Sequence, residues 1–236
     1  DGPMPTYPSD FTDEEWRLIR PLFPPPSKRG RPRAWPIRQI VDAIFYVLRG
    51  GIAWRMLPID DPPWKTVYHY FRRWRTGGLW GRIHRCLHQA VRGRAGRHPF
   101  ASAGIVDSQS VKTTEAGGPR GYDAGKNVSG RKRHLLVDRD GLLLIAVVTP
   151  AHVHDGTAAS TWLFGGLSPH HPRLSMIWGD RAYGGVAKNE WQRQPGRHLE
   201  VVRRDPTTTG FAVQPRRWGE RAHFRVARAL PAACGG

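Results

Sequence analysis

The sequence predicts a mixed α/β protein in which a five-stranded mixed sheet flanked by helices follows an all-α region. Up to residue 92, apolar residues recur at helical spacing; from residue 102, short apolar runs alternate with helical stretches and turn signals. Between them, residues 93–101 are rich in Gly and Arg. We therefore expect a helical region at 1–92, a basic linker at 93–101, an α/β domain at 102–230 and an irregular tail at 231–236.

The N-terminal region is expected to contain four helices. Thr12 and Glu15 form a capping box at the first, which Pro24 should end, and Pro36 opens the second. The third helix has an apolar side and a basic side, and the fourth runs from about 79 to 91. Short helices with a basic outer face are typical of a helix-turn-helix-like DNA-binding module. The basic side of the third helix gives three candidate DNA contacts, with a solvated face as the alternative: Lys65, Arg72 and Arg73.

The C-terminal part alternates strands and helices in an order that predicts a mixed sheet covered by helices. Asp140-Gly141 is a strong hairpin signal between the second and third strands. The predicted strands are 102–107, 133–138, 142–148, 175–179 and 198–203, and the predicted helices are 154–167, 186–194 and 216–230.

Composition narrows the possible partners. The chain carries a formal net charge of +18, from 37 Lys and Arg against 19 Asp and Glu, and the excess is spread along its length. Such an excess favours a polyanion, and nucleic acid fits better than a membrane because no basic amphipathic segment or long apolar run is present. The two distant cysteines form neither a disulfide framework nor a zinc site, so we expect a cytoplasmic, nucleoid-associated protein.

Three acidic residues stand where a metal-dependent nuclease site would need them. Asp107 and Asp180 each end an apolar run, and Glu220 lies in the last predicted helix. A carboxylate at the end of a buried strand costs free energy unless it is paired or binds a metal. Hard divalent cations take oxygen ligands of this kind. Strand capping at the two aspartates and a surface ion pair at Glu220 are the alternatives.

Several long motifs give these residues a context. They include 63–74 (PWKTVYHYFRRW), 105–114 (IVDSQSVKTT), 118–126 (GPRGYDAGK) and 130–134 (GRKRH). From about residue 7 to 218 the chain resembles the DDE transposases of bacterial insertion sequences. The resemblance implies a ribonuclease-H-like catalytic domain in which Asp107, Asp180 and Glu220 hold two Mg²⁺ ions, with Mn²⁺ as a possible substitute. It also implies double-stranded DNA as substrate, at the element ends and at the target, and a homodimer or higher oligomer.

A second group of basic residues lies near these acids. We expect phosphate contacts from them, while a protected sheet edge is the alternative reading of those between the first two strands: Lys126, Arg131, Lys132, Arg133 and Arg217.

The sequence departs from the family pattern after Trp218, where only Gly219 precedes Glu220 and the ending is rich in Gly and Ala. This departure indicates an altered or frame-shifted C-terminus. Two further hypotheses remain open: a catalytically inactive remnant that only binds DNA, and an RNA-binding protein or ribonuclease.

Overall fold

The computed structural model of the chain describes residues 7–25, 32–113, 117–167 and 169–202. The described residues fall into two compact units, which divide between Val91 and Arg92. Within the described ranges, no helix is both long enough and apolar enough to cross a membrane.

The first unit is helical. Its helices are α1 (Asp13–Ile19), α2 (Ile37–Gly50), α3 (Trp64–Thr76) and α4 (Leu79–Arg94), the last of which continues into the second unit. The capping box at Thr12 is confirmed, because its side chain accepts from the backbone of Glu15 while the Glu15 carboxylate accepts from Thr12. The helix ends earlier than predicted: a 3₁₀ turn at Arg20–Leu22 follows, since Pro21 has no backbone N–H to continue α1.

The apolar faces of these helices form one core. Ile40, Ile44 and Val67 are fully buried, and Trp74 contacts the rings of Phe23 and Trp80. Gly51 takes the left-handed conformation (φ 63°) that closes α2. The core fixes α3, so that the opposite side of that helix faces solvent.

The second unit is built on a six-stranded mixed sheet. Its strands are β1 (Ala103–Lys112), β2 (Gly121–Asp123), β3 (Val128–Asp138), β4 (Leu143–Pro150), β5 (Met176–Gly179) and β6 (His198–Val201). The order is β2-β3-β1-β5-β6, with β4 also paired to β3. Strands β1, β5 and β6 are parallel, and β3 is antiparallel to its neighbours. Among the described residues, the unit also contains the helices α5 (Asp155–Ala158) and α6 (Val186–Gln192), so the predicted mixed α/β class is confirmed.

The largest departures from prediction in this unit concern β1, β3, an additional strand and the first predicted helix. Strand β1 continues five residues past Asp107, and β3 begins at Val128, because the two strands pair along Gly104–Lys112 and Gly130–Asp138. The short edge strand β2 was not predicted. The expected helix at 154–167 is short: α5 passes into a π-helical turn at Ala159–Leu163, which buries Leu163 against the sheet.

A buried ion pair holds the start of the second unit to the β3–β4 hairpin. Arg92 is 7% exposed and its guanidinium donates to Asp138, which is fully buried. Asp138 also accepts from the backbone of Asp140 and Leu142, both at 2.9 Å, across the predicted Asp-Gly turn. These contacts give Asp138 a turn-forming role.

Candidate active site

Asp107 lies in the middle of β1. The parallel pairing with β5 ends at Ile105 and Trp178, while the antiparallel pairing with β3 places Asp107 opposite Leu135. The prediction that Asp107 ends its strand is therefore wrong. Asp107 does lie two residues beyond Ile105, the last residue of β1 that pairs with β5. Its side chain is half-buried.

Asp180 follows directly after β5. Its backbone remains extended (φ −78°, ψ −175°), and its Oδ1 accepts a hydrogen bond from the N–H of Ala182 at 2.9 Å. Asp180, like Asp107, stands two residues past the last β1–β5 pair, Ile105 and Trp178. Because parallel strands carry side chains in register, we expect neighbouring positions for Asp107 on β1 and Asp180 directly after β5.

The hydroxyl of Tyr183 gives an independent indication that the acids converge. Tyr183 is 1% exposed and packs beside Gly179, where an added Cβ would lie 3.0 Å from the ring. Burial raises the pKa of the Tyr183 phenol, and the carboxylates of Asp155, Asp107 and Asp180 raise it further, while Ser108 opposes them. All three carboxylates are therefore within electrostatic reach of one buried atom.

The donor chemistry of this pair suits a hard divalent cation, because both aspartates offer carboxylate oxygens and Asp180 is already oriented by its bond to Ala182. Within the described ranges no group of three or more His, Cys, Asp and Glu side chains is placed to hold a metal ion. The third candidate ligand, Glu220, and the candidate DNA contact Arg217 lie outside the described residues.

A wide open cleft of about 1070 Å³ adjoins Asp180 between α6 and β6. Arg181, Lys188 and His198 line it, together with Glu200. The cleft thus brings basic side chains next to the carboxylate of Asp180.

The basic residues of the β2–β3 turn and of the first half of β3 divide into different environments. Lys126 is exposed at the β2–β3 turn, and its ammonium donates to the backbone oxygen of Ser108 at 3.0 Å. Arg131 and Arg133 are half-buried, and Arg131 donates to the carbonyls of Gly117 and Pro119.

Lys132 is different, because it is only 5% exposed and its ammonium meets Asp155 at 3.0 Å and Asp123 at 3.3 Å. The charge of Lys132 is directed into the protein, so the DNA contact predicted there stays a prediction that these internal contacts do not favour. Although burial acts to raise the pKa of Asp123, the hydrogen bond from Ser110 and the charge of Lys132 lower it overall.

The helix α3 shows the two faces that its sequence predicted. Val67 and Trp74 are buried, whereas the candidate DNA contacts Lys65, Arg72 and Arg73 are exposed. These three cations are available to a polyanion.

Comparison with known proteins agrees with this architecture. Residues 98–224, more than half of the chain, match the family model described as Transposase DDE domain. The chain belongs to the DDE transposases, and its second unit has the ribonuclease-H-like mixed sheet of that class, the class of polynucleotidyl transferases.

Two further similarities place it among insertion-sequence transposases. Residues 11–84 match a model for transposases of the IS4/5 family. The chain is 36% identical over 111 residues to the insertion element IS402 uncharacterized 16.2 kDa protein of Burkholderia cepacia, covering 44% of this chain and 74% of that protein.

Proposed function

We propose that this transposase binds the terminal inverted repeats of its insertion element, cuts the DNA there in a metal-dependent reaction, and joins the freed 3′ end to target DNA. The observation that supports the proposal is the register of β1 and β5, whose last pair, Ile105 and Trp178, lies two residues before Asp107 and Asp180. Two carboxylates at neighbouring positions, next to a cleft with basic walls, suit a site for phosphodiester chemistry.

In this proposal Asp107 and Asp180 bind Mg²⁺ together with Glu220, and Mn²⁺ substitutes for it. Divalent ions held there supply the charge that activates a water or 3′-hydroxyl nucleophile and that stabilises the leaving oxygen. The chain's own task is to hold the carboxylates at fixed positions. Asp180 is restrained by the N–H of Ala182, and Asp107 by its place in a strand paired on both sides up to Ile105.

DNA binding is assigned to both units. The exposed cations of α3 bind the element ends, and basic side chains of the second unit contact phosphates near the cut site: Lys126, Arg131, Arg133 and Arg217. We take residues 102–230 as the catalytic domain and 1–92 as the DNA-binding region. Pairing of two element ends implies a homodimer or a higher oligomer on DNA.

The test uses the full chain and linear DNA carrying both ends of the element, taken from the nucleotide sequence around the gene. Asp107→Asn and Asp180→Asn should each abolish nicking in Mg²⁺ and in Mn²⁺, while gel shifts with the same DNA stay unchanged. Glu190→Gln is a matched control, because that carboxylate is 42% exposed and pairs only with nearby Arg193 in the contacts described. Nicking that persists in either aspartate variant would refute the assignment.

A DNA-binding remnant is the second candidate, and the altered sequence around Gly219 and Glu220 favours it. It predicts gel shifts with the element ends and no nicking by the wild-type chain in either metal. Replacing the segment after Trp218 by a family-like helix should then restore nicking. Preferential cleavage of RNA over duplex DNA would reject both candidates.

A further inference from the structure

Lys132 is a buried cation whose contacts reach two separate elements of the sheet unit. Its Nζ lies 3.0 Å from Asp155 Oδ1, 3.3 Å from Asp123 Oδ2 and 3.0 Å from the carbonyl oxygen of Val153. The Lys132 side chain is 7% exposed, and those of Asp123 and Asp155 are 10% and 15% exposed. An ammonium withdrawn from water in this way cannot serve as a phosphate contact unless its internal partners are given up.

One set of contacts leads from Lys132 to β1. Ser110 stands directly opposite Lys132 in the β1–β3 pairing and donates to Asp123 Oδ2 at 2.5 Å. The same carboxylate oxygen therefore receives both Ser110 and Lys132. We call each of these sets of contacts an arm. Since Ser110 follows Asp107 by three residues on the same strand, the first arm holds the part of β1 that continues beyond Asp107.

A second set of contacts leads from Lys132 to the turn that carries Asp180. Asp155 is the first residue of α5, and the next residue, Gly156, lies so close to the turn that an added Cβ would be 2.8 Å from the carbonyl oxygen of Ala182. The N–H of Ala182 in turn donates to Asp180 Oδ1. The start of α5 therefore packs directly against the residue that orients Asp180.

We propose that Lys132 is a positioning residue of the active site, which holds Asp107 and Asp180 in place through these two arms and contacts neither DNA nor metal. The inference rests on the proposed function only in naming the two aspartates as the metal-holding pair. Opposite charges inside the protein attract strongly because water does not screen them, so one ammonium fixes two carboxylates that belong to different elements. No apolar side chain at this position could link both.

Two single variants separate the arms. Ser110→Ala removes the contact between β1 and Asp123, and Asp155→Asn removes the charge that Lys132 holds on α5. Lys132→Met should affect both arms at once. Lys112→Met is a matched control, because Lys112 is an exposed lysine at the end of β1.

Hydrogen–deuterium exchange of the full chain, without metal or DNA, reads out the two arms. We expect Asp155→Asn to speed exchange of the Arg181–Gly184 amides at least tenfold and to leave Ser108–Lys112 unchanged. Ser110→Ala should give the reverse pattern, Lys132→Met should speed both segments, and Lys112→Met neither. Amides in the β5–β6 pairing, such as Leu199, should stay as slow as in the wild type in every variant.

Uniform acceleration over the whole sheet unit, or no change at Arg181–Gly184 in Asp155→Asn, would overturn the inference. If Lys132→Met does not fold, the two single variants still decide it. A Mn²⁺ titration, followed by the electron paramagnetic resonance of the free ion, then connects the arms to the site: both single variants should weaken Mn²⁺ binding about tenfold while gel shifts are unchanged. If the wild-type chain binds no Mn²⁺, the proposed function fails, and the exchange result still judges the positioning role.

Discussion

Acidification should destabilise the sheet unit through His134, which is fully buried between β1 and β4. Its Nε2 lies within hydrogen-bonding distance, 2.9 Å, of the hydroxyl of Thr149, which itself donates to the carbonyl of Pro150. Burial lowers the pKa of His134 from 6.5 to about 4; Asp155, at 3.9 Å from Nδ1, acts to raise it, and Lys132 and Lys126 act to lower it. The folded chain therefore keeps this imidazole neutral at pH 5.

The unfolded chain, in contrast, protonates the same residue near pH 6.5. Between these two pKa values the unfolded state binds more protons, so stability is complete above about pH 6.5 and falls as the pH drops toward 4. At roughly 1.4 kcal/mol per pKa unit, the loss reaches about 2 kcal/mol at pH 5 and about 3 kcal/mol at pH 4.

The assay is urea unfolding of the wild type and of His134→Gln at pH 7, 6 and 5. From pH 7 to pH 5, the unfolding free energy of the wild type should fall by about 2 kcal/mol more than that of the variant. Using the difference removes other titrations, such as that of Asp42, where burial raises the carboxyl pKa to about 6 and the sign is opposite. Thr149→Val is the control, since it removes the hydrogen-bond partner but keeps the titrating group. A pH-independent difference for His134→Gln would refute the reasoning.

Three substitutions test the packing of the sheet unit. Arg92→Met removes the cation that contacts the fully buried Asp138 and should lower the unfolding free energy, measured in urea, by about 3–5 kcal/mol. The Arg92→Met, Asp138→Asn double variant should recover part of that stability. An equal loss in the single and double variants would contradict the prediction. Gly130→Ala places a Cβ 2.0 Å from the carbonyl oxygen of Val111 and should cost at least about 1–3 kcal/mol, whereas Gly93→Ala, with nothing within 4 Å, should not destabilise the protein. Leu136→Ala empties a fully buried position and should lower the unfolding free energy by about 2–5 kcal/mol; a loss below 1 kcal/mol would mean that the β1–β3 face is not the core.

Much of the fold could be predicted from local patterns. The capping box at Thr12, the left-handed Gly51 and the Asp140-Gly141 turn each depend on a few adjacent residues, and all three are present. Strand lengths could not be predicted in the same way, because they depend on a partner. Polar residues such as Ser108 and Ser110 form strand only because β3 pairs with them.

The burial of Lys132 could not be predicted for the same reason. With β3 expected to begin at residue 133, Lys132 was counted with the loop cations. Once the strand is extended, alternation puts Lys132 on the same face as His134 and Leu136, which are both fully buried. Extending the alternating pattern of β3 toward its N-terminus would have predicted that Lys132 faces the interior.

The two aspartates were predicted from their apolar flanks, and the register of β1 and β5 supports their pairing. The sequence could not show that Asp180 is oriented by Ala182, or that Asp155 belongs to a charge network with Asp123, because those contacts join residues that are far apart along the chain. The placement of Glu220 lies outside the described residues and stays a prediction.

The parallel pairing of β1 with β5 can form only after β5 has been synthesised, because β5 lies far along the chain from β1. Strand β1 leaves the ribosome long before β5, and the hairpin of β3 and β4 is complete first, since its strands are joined by a tight turn. Under the proposed assignment, a nascent chain holds Asp107 without its companion acid. If the proposed assignment holds, cutting activity is expected only from a chain long enough to include β5.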